Sequence, residues 1–226
     1  MRLAKMGLAL ALTAWAAGEM ESARDRQDRA ALEKLAAQAG AEAQRSAGDA
    51  VVNYRAAVAY SYLAEVAEEQ HDRGVVKRAA ESGIVLAERA ATLKPEVAEY
   101  HRILGTLYGQ IAPVNLLAGL GYAKKAQEAI GKALERDPKS SQAYLSRGVG
   151  NYYVPSALGG GLDLAIRDFQ KAIELNPKSD EAYLWLGLAT RKGNRNADAR
   201  KAFLKSLELN PNRIWAKQQL DKTPAK

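Results

Sequence analysis

The chain has 226 residues, no cysteine, two histidines and 47% hydrophobic residues, of which only two are phenylalanine. That inventory excludes a disulfide framework, a cysteine nucleophile and a Cys/His zinc site, and it makes a bulky β core unexpected. The formal charge of +7 is spread over 33 basic and 26 acidic residues with no basic stripe interleaved with aromatics, so nucleic acid is not an expected partner.

Residues 1–16 have the pattern of a secretory signal peptide. Arg2 and Lys5 precede the apolar run GLALALTAWAA, and Ala14-Trp15-Ala16 supplies small residues for cleavage. The run breaks at Gly18, Glu19 and Glu21, short of the roughly 20 apolar residues that a membrane span needs. Export to the periplasm or the exterior is expected, with membrane contact only through this segment before cleavage. With no cysteine behind the signal, a lipid-anchored start is not expected.

Residues 17–48 form the next segment, a helical cap or a mobile stretch. Ala30, Ala31, Leu32, Leu35 and Ala36 make only a thin apolar stripe there, which predicts a weakly packed helix. Asp49 is an N-cap candidate. Behind it Val52, Ala56, Ala59, Tyr60, Leu63 and Val66 mark a long apolar helix that ends in the polar stretch EEQHDRG, and a second long helix follows from Val75 to about Leu93.

A period then becomes legible. Ala199, Phe203, Ser206, Leu209 and Pro211 repeat Ala165, Phe169, Ala172, Leu175 and Pro177 at the 34-residue spacing expected of stacked helical hairpins. Ala126, Ile130, Ala133 and Pro138 occupy the same positions one unit earlier, and Gly83, Ala87, Ala90 and Pro95 one unit before that. The preceding helices agree: Tyr183 and Gly187 answer to Tyr144 and Gly148, and then to His101 and Gly105. In the last unit, 178–211, Ala182, Leu186 and Ala189 share one face of the first helix, while Ala199, Ala202, Phe203 and Leu207 form the stripe of the second. The small Gly187 and Ala199 leave room for the two helices to approach, beside Tyr183 and Phe203.

This pattern resembles the tetratricopeptide repeat (TPR), with an aromatic, Leu, Gly and Tyr on helix A and Ala, an aromatic, Ala and Pro on helix B. The resemblance implies an all-α, right-handed α-solenoid of about four hairpins over 49–211, closed by a capping helix and tail at 212–226. In the cap, Ile214 and Leu220 are expected against the last repeat, Lys217, Gln218 and Gln219 outward, and the tail from Asp221 frayed. Gly105, Tyr144, Gly148, Ala165, Phe169, Tyr183, Leu186, Gly187, Ala199 and Phe203 are expected to pack the repeats. Two units are lengthened by Pro/Gly-rich insertions between helices A and B, QIAPVNLLAGLGYAKKA and NYYVPSALGGGLDLA, which either bind something or cover an apolar edge.

Catalysis is not expected. There is no HExxH and no supported Ser-His-Asp order; His71 falls in a polar turn, and His101 stands where the repeat prefers an aromatic. The glycines before Leu162 lack the lysine and hydroxyl of a nucleotide loop, and neither a metal nor a cofactor is implied.

In TPR proteins the inner faces of the A helices line a concave groove for a protein or peptide. By register that groove would hold Glu99, Arg102 and Thr106; then Gln142, Leu145, Val149, Tyr152 and Tyr153; then Glu181, Leu184, Leu188, Arg191 and Lys192. Thr106, Val149 and Leu188 stand where the variety that clamps a terminal carboxylate has asparagine, which disfavours that ligand. Apolar anchors flanked by Arg102 and Arg191 would suit a segment with some negative charge. The resemblance thus implies a non-catalytic binding scaffold in the cell envelope. The alternative is a periplasmic small-ligand or transport accessory, similar to the TPR-like T components of TRAP transporters, with an apolar cavity beneath the insertions.

Overall fold

Side-chain caps set where the helices of this chain begin. In the computed structural model, which describes residues 18–115 and 117–225, Asp28, Asp49, Asp72, Ser140 and Ser179 each accept a hydrogen bond from a backbone N–H in the first turn of the helix that follows. The expected signal peptide at 1–16 lies outside the described residues.

Among the described residues, after a helical stretch at 18–25, ten α-helices run in order: α1 (Arg29–Arg45), α2 (Ala50–Glu69), α3 (Arg73–Leu93), α4 (Ala98–Ile111), α5 (Gly119–Arg136), α6 (Ser141–Tyr153), α7 (Leu162–Leu175), α8 (Asp180–Lys192), α9 (Asn196–Leu209) and α10 (Ile214–Asp221). Short 3-10 turns, Ala112–Val114 and Ser156–Leu158, interrupt the two insertions. No strand occurs among the described residues.

The helices pair as antiparallel hairpins α2/α3, α4/α5, α6/α7 and α8/α9, and each hairpin packs on the next. The A helices α2, α4, α6 and α8 also touch one another in succession, so the result is an α-solenoid with the A helices along its inner side.

One packing device is repeated three times. A Cβ built on Gly105 would lie 2.5 Å from Ile130, one on Gly148 2.5 Å from the Phe169 ring, and one on Gly187 2.5 Å from the Phe203 ring. In each hairpin the A helix gives up a side chain so that the large B-helix residue can press on its backbone. Phe169 and Phe203 are completely buried as a result, each contributing about 2–3 kcal/mol of apolar transfer. His101 is buried, its Nε2 2.8 Å from the Pro95 carbonyl oxygen.

Three local expectations need correction. The segment ahead of α2 is not weakly packed: Leu32, Ala36, Gly40 and Ala43 of α1 are buried, and Met20 and Ala23 join Leu32, Leu63 and Val76 in one core. Alanines that look like a thin stripe suffice because helices this small can approach closely. At the other end Ile214 is exposed, whereas Gln219 and Thr223 are buried. Arg191 and Arg200 explain the inversion. Arg191 Nη2 donates to the Gln219 side-chain oxygen at 2.6 Å, and Arg200 Nη1 donates to the Thr223 carbonyl at 2.7 Å, so the polar groups are drawn inward and the tail is tied down through Thr223.

Candidate functional site

Four groups of residues make up the inner face. Furthest toward the amino terminus is a polar ladder. Arg102 Nε donates to both Glu99 oxygens at 2.9 and 2.8 Å, and its Nη1 reaches Thr106 and Ser146, while Tyr54 of α2 donates to the same Glu99 carboxylate at 3.0 Å. Burial alone would lower the proton affinity of Arg102, but Glu99 more than compensates and holds the guanidinium firmly charged. Burial, reinforced by Glu99, pushes the Tyr54 phenol well above its usual range. Arg102 and Thr106 thus bind α4 to α2 and α6.

The second group is core. Leu145, Leu184 and Leu188 are buried, Leu145 against Phe169 and Leu184 and Leu188 against Phe203, with half-buried Val149 beside Leu145. These residues do not line a surface. The period places them on the inner side of the A helices, but the B-helix rings and α10 close over them.

Third is an aromatic cluster. The Tyr152 and Tyr153 rings meet edge to face with centroids 5.1 Å apart; Trp185 lies 5.6 Å from Tyr152 and 6.1 Å from Tyr153, and Trp215 lies 5.5 Å from Trp185. Tyr153 remains 46% exposed, and Tyr152, Trp185 and Trp215 are half-buried. Lys192 closes one side, its Nζ 4.2 Å from the Tyr152 ring centroid and donating to the Tyr152 carbonyl at 3.0 Å. Opposite, Tyr153 donates its hydroxyl to Glu68 at 2.8 Å. Burial raises the Glu68 carboxyl above its ordinary value, and it raises the Tyr153 phenol well above its own. The register brought Tyr152 and Tyr153 to this face but not the two tryptophans. Their scarcity is the signal that could have found them, since the chain has only three.

Fourth is a buried ionic cluster that no local pattern announced. Arg213, between α9 and α10, is wholly buried, and its guanidinium donates to Glu65 at 2.6 Å, to Glu69, and to Glu181 at 2.9 Å. Arg24 pairs with Asp25 at 2.7 Å and approaches Glu181 at 3.5 Å; Asn210 donates to Asp25 and Asp180, and Gln27 donates to Glu69. Burial pushes the Glu65 carboxyl up to about 8, with Glu181 adding to the rise and Arg213 opposing it. Burial also raises Glu69 and Asp180. For Glu181 burial pulls the same way, but Arg213 and Arg24 outweigh it and hold that carboxyl below its usual range.

This cluster has an architectural result. The stretch 18–28 and the carboxyl end of α2 dock onto the starts of α8 and α10, so the solenoid curls until its two ends meet across the concave side. The open groove expected from the register is therefore partly filled by the chain itself. Arg191, expected to flank it, is committed to Gln219 and Thr223 and stacks 5.7 Å from the Phe203 centroid. What stays open on the inner side is the aromatic cluster and its Lys192 edge.

Surface hollows lie elsewhere: one is lined by Ala47, Val85, Glu88, Arg89, Thr92 and Leu93, another by residues of α1, α2 and α3 including Tyr60 and Ser82. Neither lies beneath the insertions. Among the described residues no group of three His, Cys, Asp or Glu could hold a metal ion, and no helix is long and apolar enough to cross a membrane.

The tetratricopeptide-repeat family model matches residues 159–214, which run from the end of the second insertion to the first residue of α10. Among solved structures, TTC0263, a thermophilic TPR protein of Thermus thermophilus, superposes with a TM-score of 0.63 at 17% identity, covering 96% of this chain and 97% of its own. The pilF protein of Pseudomonas aeruginosa does so with a TM-score of 0.49 at 21% identity over 75% of this chain and 68% of its own. MamA of Desulfovibrio magneticus gives 0.47 at 17% identity over 88% and 96%. At such identities the likeness is one of fold. No curated protein matches the chain in sequence.

Proposed function

We propose that this chain, a tetratricopeptide-repeat protein, is a non-catalytic scaffold of the cell envelope that holds a protein or peptide on its concave face through the aromatic cluster of α6 and α8. The observation that carries the reading is the partial exposure of Tyr152, Tyr153, Trp185 and Trp215, four large rings gathered on the side where A helices face inward. Interfaces draw most of their affinity from a few such rings in a water-excluding rim, and an apolar side chain seated against Tyr153 and Trp185 would be the anchor. Arg102 and Arg191 are saturated by internal partners, so they give no reason to favour an acidic segment. The signal-like residues 1–16 support the envelope location.

Two measurements test this. Mass analysis of the chain from a bacterial host should find it exported and cut after Ala16. Crosslinking in the exported fraction should capture a partner protein that Tyr153→Ala reduces roughly thirtyfold, the scale of a hot-spot ring, with helicity unchanged. Retention in the cytoplasm would remove the location, and undiminished capture by the variant would remove the site.

A further inference from the structure

The two long A-to-B linkers leave the solenoid on the same edge, because each joins the carboxyl end of an A helix to its B helix and α4 packs beside α6. Both are pinned. In the first, Arg73 Nη2 donates to the Pro113 carbonyl at 3.2 Å, Asn115 Oδ1 accepts from Ala118 N–H at 3.1 Å, and Gly119 comes so near the Ala112 carbonyl that a Cβ would sit 2.6 Å from it. In the second, Gly161 N–H donates to the Asn151 carbonyl at 2.9 Å, and a Cβ on Gly160 would lie 2.2 Å from the Val154 carbonyl. Backbones held this way present their side chains in a set direction, and the direction is outward: Leu117 is fully exposed, Leu120 77% and Leu158 59%.

Val114 of the first linker packs on the cores beneath it, but the leucines of the two linkers do not cover an apolar edge. They create one, and cations border it. Across 112–125 and 154–167 the charged residues are Lys124, Lys125 and Arg167 against Asp163 alone, and none of the four is buried. Leucines projecting ahead of lysines match a surface that is apolar just below an anionic layer. We propose that this edge seats the protein on an anionic lipid bilayer, with Leu117, Leu120 and Leu158 entering the interface and Lys124, Lys125 and Arg167 meeting the headgroups. The seat adjoins the aromatic cluster, because Tyr152 and Tyr153 end α6 where the second linker begins, but it uses other side chains and does not depend on the partner reading.

The absence of cysteine allows a position-specific test on the full chain. Leu117→Cys carrying an environment-sensitive fluorophore should brighten and shift to the blue with vesicles of phosphatidylcholine and phosphatidylglycerol and lose the response in high salt. The same label at Leu204→Cys, exposed on α9, should not respond. Leu117→Ser, Leu120→Ser and Leu158→Ser together should weaken vesicle co-sedimentation on the order of a hundredfold with unchanged helicity, and Lys124→Ala with Lys125→Ala roughly fivefold per lysine. All variants differ from the parent only at the named positions, so any contribution of residues 1–17 is common to them. A silent label at Leu117, or equal sedimentation of the leucine variant, overturns the proposal. So would a parent dimer that the leucine substitutions convert to monomer without vesicle binding, since the edge would then seat a second copy of the chain.

Discussion

Arg213→Met tests the closure of the solenoid most directly. The native guanidinium is wholly buried and holds Glu65, Glu69 and Glu181 together; methionine keeps most of its length and removes its charge. The carboxyl groups of Glu65, Glu69 and Glu181 would then face one another in a desolvated pocket, Glu65 still protonated at pH 6, with Arg24 beside Glu181. Breaking a buried pair in this way costs about 3–5 kcal/mol, far more than the pair itself contributes, because the surviving charges are left without compensation. For a chain of this length each kcal/mol moves the melting temperature by about 2–4 °C, so a fall of roughly 6–20 °C is expected. The assay is thermal melting by circular dichroism at pH 6 and pH 8, and the fall should be larger at pH 8, where the orphaned carboxylates resist taking up protons. Arg213→Lys should lie between the two, since it restores charge without the forked geometry. A melting temperature within about 2 °C of the parent at both pH values would refute the claim that this guanidinium joins the two ends.

The raised carboxyl of Glu65 gives a pH prediction. The folded chain keeps a proton on Glu65 up to about pH 8, whereas the unfolded chain releases it in the ordinary carboxylate range, so stability should decline as pH rises between those limits. Glu65→Gln should flatten that decline and leave the variant at least as stable as the parent at pH 8; an unchanged pH profile would contradict the assignment. Gly187→Ala should destabilise by about 1–3 kcal/mol in chemical denaturation, since its Cβ would lie 2.5 Å from the Phe203 ring, and Phe203→Leu in the same chain should recover part of the loss. A neutral or stabilising Gly187→Ala would mean that the hairpin has slack which the packing device denies.

Some of this architecture was legible in the sequence and some was not, for physical reasons. The hairpins from α4 to α9 were legible because their determinants are local and repeat: Tyr183, Gly187, Ala199 and Phe203 lie within one unit, and the unit recurs. Asp49 announced a helix start because a capping side chain acts on the next turn. The buried roles of Leu184 and Leu188 were hidden because a period names the face of a helix and not what lies over it. The ionic cluster was hidden more deeply. Arg213 meets Glu65 and Glu69 across 148 and 144 residues, and nothing in the neighbourhood of either end encodes the other. For the same reason Arg191 read as a free cation, its partners lying 28 and 32 residues on, whereas Arg102 is held mainly by Glu99 one turn away, a pairing that the local spacing did offer.

An ordinary repeat array can be lengthened, because a new unit needs only neighbours. This one cannot. Inserting a hairpin anywhere between α3 and α9 would rotate the carboxyl end past the amino end and carry Arg213 away from Glu65 and Glu69, while deleting one would stop it short. The clasp therefore works as a gauge that fixes how many units the protein has, and unit gain or loss, the common route by which repeat proteins change size, would break the molecule at its most buried charge.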